Sequence, residues 1–328
     1  MRIIQFVDDA GQRAVAAWLD DVAGYRRVKA KTVRDLALDA WRAGISLADE
    51  VSRRLSTEAV DAEKMLAAGR ILVPLDHPDP AHTVLAITGL THLGSAKQRD
   101  AMHTELQSHD LSDSMKMFKL GMEGGKPAGG KIGVQPEWAY KGDGDWLVHP
   151  ESTITKPGHA EGGGEEGEIC GLYVIADDGT PLRLGYALGN EYSDHVMERR
   201  NYLYLAHSKL RPSSFGPELL IGELPDAVEG DVVIRRAGEV IWQSRFLSGE
   251  ANMTHTIANL EEHHFKYAGF RRPGDVHVYF YGASVLSFGD GVSISDGDSV
   301  EISSPAFGLP LRNRFAAGAP ARHVVKAL

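Results

Sequence analysis

The chain has 328 residues, 43% of them hydrophobic and 24% charged, with a formal net charge of -10 and an isoelectric point near 5.8. These are ordinary values for a globular fold, and an acidic chain without a basic run disfavours a protein that grips a nucleic-acid backbone. Asp8 and Asp9 cut the amino-terminal apolar run too early for a signal peptide, and no later stretch could span a bilayer, so a cytoplasmic protein free of membranes is expected.

Residues 2–7 and 13–18 read as two short strands around an Asp-Ala-Gly turn, a hairpin opening a small amino-terminal unit. Thr32 then offers an N-cap to Val33, Leu36, Ala37, Ala40 and Trp41 at helical spacing, with Gly44 as the left-handed stop. Two shorter helical patterns follow, ending near Gly69. The proline-bearing connector 76–84 separates this α/β domain, 1–75, from a larger domain, 85–328, because proline removes backbone donors and restrains its neighbour. The Gly- and Lys-rich stretch 122–133 reads as a surface loop or a mobile flap.

From about residue 165 the chain turns into short apolar runs cut by Asp-Gly turns, at 170–179, 275–282 and 288–303, which predict strands and hairpins. A helix is expected over 252–265, with Met253, Ile257, Leu260 and Phe265 as its apolar face. The class is therefore α+β. Cys170 is the single cysteine, which excludes an intrachain disulfide, and its apolar setting beside Glu166 and Glu168 predicts a core residue and not a nucleophile.

Glu166 and Glu168 stand two apart at the head of the run ICGLYVI, so on a strand their side chains share a face. Paired carboxylates there repel unless a cation, a proton or an arginine lies between them. Alone, the pair suits either a solvated strand edge or a hard cation such as Mg²⁺, Mn²⁺ or Ca²⁺. Glu191, after Asn190, could complete such a site, although an Asn-Glu pair also suits a turn or helix cap. His263, His264 and His255 do not suit zinc, since consecutive helical residues point apart.

Together these pieces resemble the fumarylacetoacetate hydrolase family, whose signature is E-x-E leading into an apolar strand and, downstream, N-D-x-S. Here they are Glu166-Gly167-Glu168 and Asn190-Glu191-Tyr192-Ser193, with Glu replacing the usual Asp. The similarity continues through Lys209, ahead of a Gly-Pro strand entry, and through the closing pattern that ends in Leu311-Arg312-Asn313, covering most of 85–315. Ala283 and Ser284 stand where the family has Thr in G-T-P-A-G, and Asp194-His195-Val196 follow Ser193 where the family has A-R-D. The segment 89–103 is only loosely similar to the family's lid with its His-Glu pair. The stretches 127–144, 189–196 and 248–278 look most like the sugar-acid branch, whose members resemble 2-keto-3-deoxypentonate dehydratases.

The resemblance implies a β-roll of mixed sheets with flanking helices, a homodimer, and a divalent ion, Mg²⁺ with Mn²⁺ or Ca²⁺ as alternatives, held by Glu166, Glu168 and Glu191. It implies a small 2-keto sugar acid as partner, contacted by Ser284, Lys141 and Asp194, with Lys209, His92 and His195 as catalytic candidates. In that reading the ion chelates the 2-keto acid, His92 or a carboxylate at the ion removes the C3 proton, Lys209 supports the enolate, and loss of the C4 hydroxyl gives 2,5-dioxopentanoate. A hydrolase of acylpyruvates, a 2-oxo-acid decarboxylase, or a silent sugar-acid binding protein are the alternatives.

Overall fold

A computed structural model of the chain describes residues 1–94, 96–97 and 111–328. Its strands in chain order are β1 Arg2–Val7, β2 Arg13–Leu19, β3 Gly24–Val28, β4 Leu55–Val60, β5 Ile71–Leu72, β6 Thr83–Ile87, β7 Ala139–Asp143, β8 Leu147–Val148 and β9 Thr153–Lys156. They continue with β10 Gly167–Ile175, β11 Pro181–Asn190, β12 Ser213–Phe215, β13 Glu218–Ile221, β14 Val228–Arg236, β15 Glu239–Ser248, β16 Val276–Phe280, β17 Ser299–Ser303 and β18 Leu311–Ala317. Among the described residues they form a 13-stranded sheet, running β4-β3-β2-β1-β13-β11-β10-β16-β6-β7, and a five-stranded sheet in the order β15-β14-β17-β18-β9. This mixture of sheets with flanking helices is the α+β class expected from the sequence.

The amino-terminal hairpin is continuous with the large sheet through β1, which pairs antiparallel with β13. Thr32 accepts from Asp35 N, and Gly44 at φ 65° closes the helix Val33–Ala43. That helix lays Val33, Leu36 and Ala37 on one face of the sheet, against Cys170, Leu172 and Val174 of β10. The opposite face of β10 presents Ile169, Tyr173 and Ile175 to Val232, Phe246 and Ile302 of the second sheet. Strand β10 is thus buried on both faces, which is why it reads as an unbroken apolar run.

Four expectations are corrected. Strands β3 and β4 were not legible: β4 lies between the helices Leu47–Arg53 and Ala62–Ala67, where only helical patterns were expected. The helix expected over 252–265 begins at Ile257, because Thr256 caps it by accepting from Asn259 N, although Met253, Ile257, Leu260 and Phe265 are all buried as foreseen. The stretch 288–303 forms only β17. Asp298 accepts from Ser295 N and from Arg236, so side-chain hydrogen bonds stand in for a strand ladder before it. The helix Asp113–Gly124 leads into the predicted loop at 122–133 and was not anticipated. Among the described residues no helix is long and apolar enough to cross a membrane.

Candidate functional site

The site is built at one end of the β10–β11 pair, where Gly167 lies opposite Asn190 and Glu168 opposite Gly189. This register sets Glu166, Glu168 and Glu191 side by side. All three are buried, and one carboxylate oxygen of each lies within 4.8 Å of the others.

The hydrogen bonds decide which oxygens are already occupied. Glu166 Oε1 accepts from Lys209 Nζ at 2.5 Å and lies 3.1 Å from His195 Nε2. Glu191 Oε1 accepts from Ser193 Oγ at 2.8 Å and from Lys141 Nζ at 3.0 Å. Glu168 Oε2 accepts from Gly282 N at 2.7 Å, while Glu168 Oε1 is buried without a partner. Among the described residues, acceptor capacity therefore remains on Glu166 Oε2, on Glu168 Oε1, and on Glu191 Oε2, whose one contact is Lys209 Nζ at 3.4 Å.

The electrostatics follow from that placement. Burial and the charges of Glu191 and Glu166 push Glu168 well above the usual carboxylate range. Burial would also raise Glu166, but Lys209 and His195 overcome it and hold this carboxyl well below its usual value. Next to them Glu165 accepts from both Ser287 N and Ser287 Oγ, and burial raises its pKa.

A hard cation fits this donor set. Two oxygens on opposite sides of one ion are about 4.0–4.2 Å apart for Mg²⁺ and about 4.6–5.2 Å for Ca²⁺, and the orphaned Glu168 Oε1 is a buried acceptor that nothing among the described residues satisfies. Glu166 and Glu168 are the pair that strand spacing singles out in the sequence, and Glu191 is the third ligand that the resemblance implies.

The remaining candidates divide. Lys209, at the end of the helix Leu205–Lys209, joins the cluster: its ammonium contacts Glu166, Glu191 and Ser193 Oγ. His195 joins through Glu166 and stacks on Phe288 with ring centroids 5.2 Å apart.

His92 reaches the cluster by way of Gly282. That residue, at φ 94°, donates to Glu168, and a Cβ there would collide with Thr91 Oγ1. Thr91 Oγ1 gives its hydrogen to Tyr281 O, so its 2.9 Å contact with His92 Nδ1 requires the proton on Nδ1. His92 Nε2, 3.2 Å from Ser248 Oγ, is then the basic nitrogen, and burial lowers the ring's pKa to about 4. His92 and Ser284 line one cavity of about 380 Å³ with Arg245 and Asn252. Ser284 Oγ there accepts from Leu247 N.

Asp194 and Lys141 are engaged by the protein itself. Asp194 caps the helix His195–Arg200 and accepts from Met197 N and Gly162 N on Oδ1, and from Glu161 N and Arg211 on Oδ2. It is wholly buried and its acceptor positions are filled. Lys141 is also wholly buried and donates to Glu191, Tyr192 O and Lys209 O, using all three of its hydrogens. Cys170 is buried as expected, and burial and Glu168 push its thiol well above the usual range.

Sequence reasoning missed Gly282, Ser248 and Arg211. Only Arg211 left a signal, as a second cation two residues after Lys209. Of the lid segment 89–103, residues 95 and 98–103 lie outside the described residues.

No protein-family model and no curated protein matches the sequence. The fold is shared with solved dehydratase and isomerase structures of mixed α and β architecture. The chain is similar to a 2-keto-3-deoxy-D-arabinonate dehydratase in its apo form, at 17% identity and a TM-score of 0.72 over 98% of this chain and 100% of that one. The dehydratase complexed with magnesium and 2,5-dioxopentanoate superposes with a TM-score of 0.71 at 17% identity, over the same shares. A 5-carboxymethyl-2-hydroxymuconate delta-isomerase from Mycobacterium smegmatis matches with a TM-score of 0.58 at 17% identity, over 98% of this chain and 100% of that one.

Proposed function

We propose that the protein is a divalent-metal enzyme of the fumarylacetoacetate hydrolase superfamily that dehydrates a 2-keto-3-deoxypentonate to 2,5-dioxopentanoate. The observation that carries this reading is the orphaned oxygen of Glu168 inside a cluster of three buried carboxylates. Support for the substrate class comes from the dehydratase of the same fold that holds magnesium and 2,5-dioxopentanoate. Glu166, Glu168 and Glu191 would hold the ion, which when bound supplies Lewis acidity that polarises a 2-keto group and acidifies C3.

The residues of the chain do the rest. Lys209 holds a positive charge beside the cluster, where negative charge develops on the 2-keto oxygen as C3 loses its proton. His92, neutral at physiological pH and with its proton fixed on Nδ1, presents Nε2 as an acceptor in the cavity that it shares with Ser284. His195 and Phe288 hold Glu166 in place from behind.

The test is to incubate the purified protein and Mg²⁺ with each 2-keto-3-deoxypentonate isomer, following aldehyde and pyruvate formation side by side. Aldehyde from one isomer is expected. Pyruvate would assign carbon–carbon cleavage to the same enolate chemistry, and neither product would leave a sugar-acid binding protein.

A further inference from the structure

We propose that Lys141 is a positioning residue that fixes which oxygen of Glu191 is presented to a divalent cation, and thereby sets the affinity of the centre. The proposal rests on the metal reading above.

Lys141 comes from β7, at the far end of the large sheet from β4, and its side chain is 0% exposed. Its ammonium donates to Glu191 Oε1 at 3.0 Å, to Tyr192 O at 2.8 Å and to Lys209 O at 2.8 Å. One buried cation thus holds the carboxylate of Glu191, the main chain at the next residue, and the main chain of the lysine facing that carboxylate. Its ammonium is fully engaged within the protein, so its effect on the centre passes through those two segments.

Glu191 needs such restraint. A glutamate has one more rotatable bond than an aspartate, and Lys209 Nζ, 3.4 Å from Oε2, competes for the oxygen left to a cation. Lys141 and Ser193 both donate to Oε1, which fills that oxygen and turns Oε2 toward the cluster. Without Lys141 the carboxylate can rotate onto Lys209 and withdraw its free oxygen. Partners that orient a ligand in this way typically contribute on the order of 10–100-fold in metal affinity.

The experiment is a Mn²⁺ titration of chelator-treated protein, with free Mn²⁺ read by electron paramagnetic resonance, on the parent, Lys141→Met and Ser193→Ala. The parent binds Mn²⁺, Lys141→Met binds it on the order of 10–100-fold more weakly, and Ser193→Ala shifts in the same direction by less. Saturating Mn²⁺ then restores turnover in Lys141→Met with the substrate KM unchanged. An unchanged Mn²⁺ affinity in folded Lys141→Met overturns the positioning role while leaving the metal reading intact. A raised substrate KM at saturating Mn²⁺ overturns it in favour of a substrate contact. Should Lys141→Met not fold, an unchanged affinity in Ser193→Ala overturns it. A parent that binds no Mn²⁺ overturns both readings.

Discussion

Two groups of buried acids lie side by side in this protein and behave differently. Asp194 is 0% exposed, yet each of its oxygens accepts two hydrogen bonds and Arg211 balances its charge. Glu166, Glu168 and Glu191 are buried as deeply, but keep unused acceptor capacity on three oxygens and crowd like charges together. Burying a carboxylate is costly unless it is paired and hydrogen-bonded. A satisfied acid therefore marks architecture, here the tie between loop residues Glu161 and Gly162 and the helix they cover. A cluster left short of partners marks a place where something else binds.

Substitution of one acid from each group sharpens the contrast most. Asp194→Asn leaves Arg211 buried without its counter-charge and should destabilise the fold by about 3–5 kcal/mol. Glu168→Gln removes like-charge repulsion at nearly constant volume, so the chelator-treated variant should be at least as stable as the parent. Urea denaturation of both variants checks this, and equal losses would erase the distinction. Next in size is Lys209→Met, which removes the charge facing the developing enolate. It should lower kcat by on the order of 10²–10³, in an assay of the proposed dehydration. A change confined to KM would instead make Lys209 a uniform binder of the substrate.

A milder test uses buried neutral imidazole rings away from the cluster. His264 Nδ1 accepts from Trp138 Nε1, so its Nε2 carries the hydrogen shared with His277 Nδ1 at 2.9 Å. Burial lowers both His277 and His255 to about 4. These folded-state values lie below the ordinary 6.5, so the unfolded chain takes up protons first. The stabilisation is complete above pH 6.5 and is lost as pH falls toward 4. Calorimetry should show Tm falling by roughly 3–5 °C between pH 7 and 5.5. A Tm that holds steady would mean that these rings are protonated in the folded state, or that proton uptake by Glu165 and Glu168, whose raised pKa values act in the opposite sense, cancels their effect.

What the sequence disclosed depended on how local each signal was. Glu166 and Glu168 were legible because two residues on one strand share a face, and the run behind them announced a buried strand. Lys209 was implied by the family resemblance alone, which places a lysine ahead of the Gly-Pro entry. The partners of Asp194 were not legible, because nothing near it in sequence shows that residues 161–162 fold back onto its carboxylate and that Arg211 closes on it. Gly282 could not be found, since its role is a backbone N–H with no side-chain signature. Strand β4 is an edge strand with its middle residues exposed, so it lacked the apolar run and adjoining turn by which β1 and β2 were recognised.

Thermal unfolding with increasing Mg²⁺, run on chelator-treated parent and Glu168→Gln, measures most directly whether the unsatisfied cluster is a metal centre. The parent's Tm should rise with the logarithm of the Mg²⁺ concentration. About 2.7 kcal/mol of stabilisation is expected at a hundred times Kd, or roughly 4 °C for a chain of this size. Glu168→Gln, starting from an equal or higher Tm, should show almost no rise. A parent that Mg²⁺ does not stabilise, or a variant stabilised as strongly as the parent, would contradict the assignment of these three glutamates.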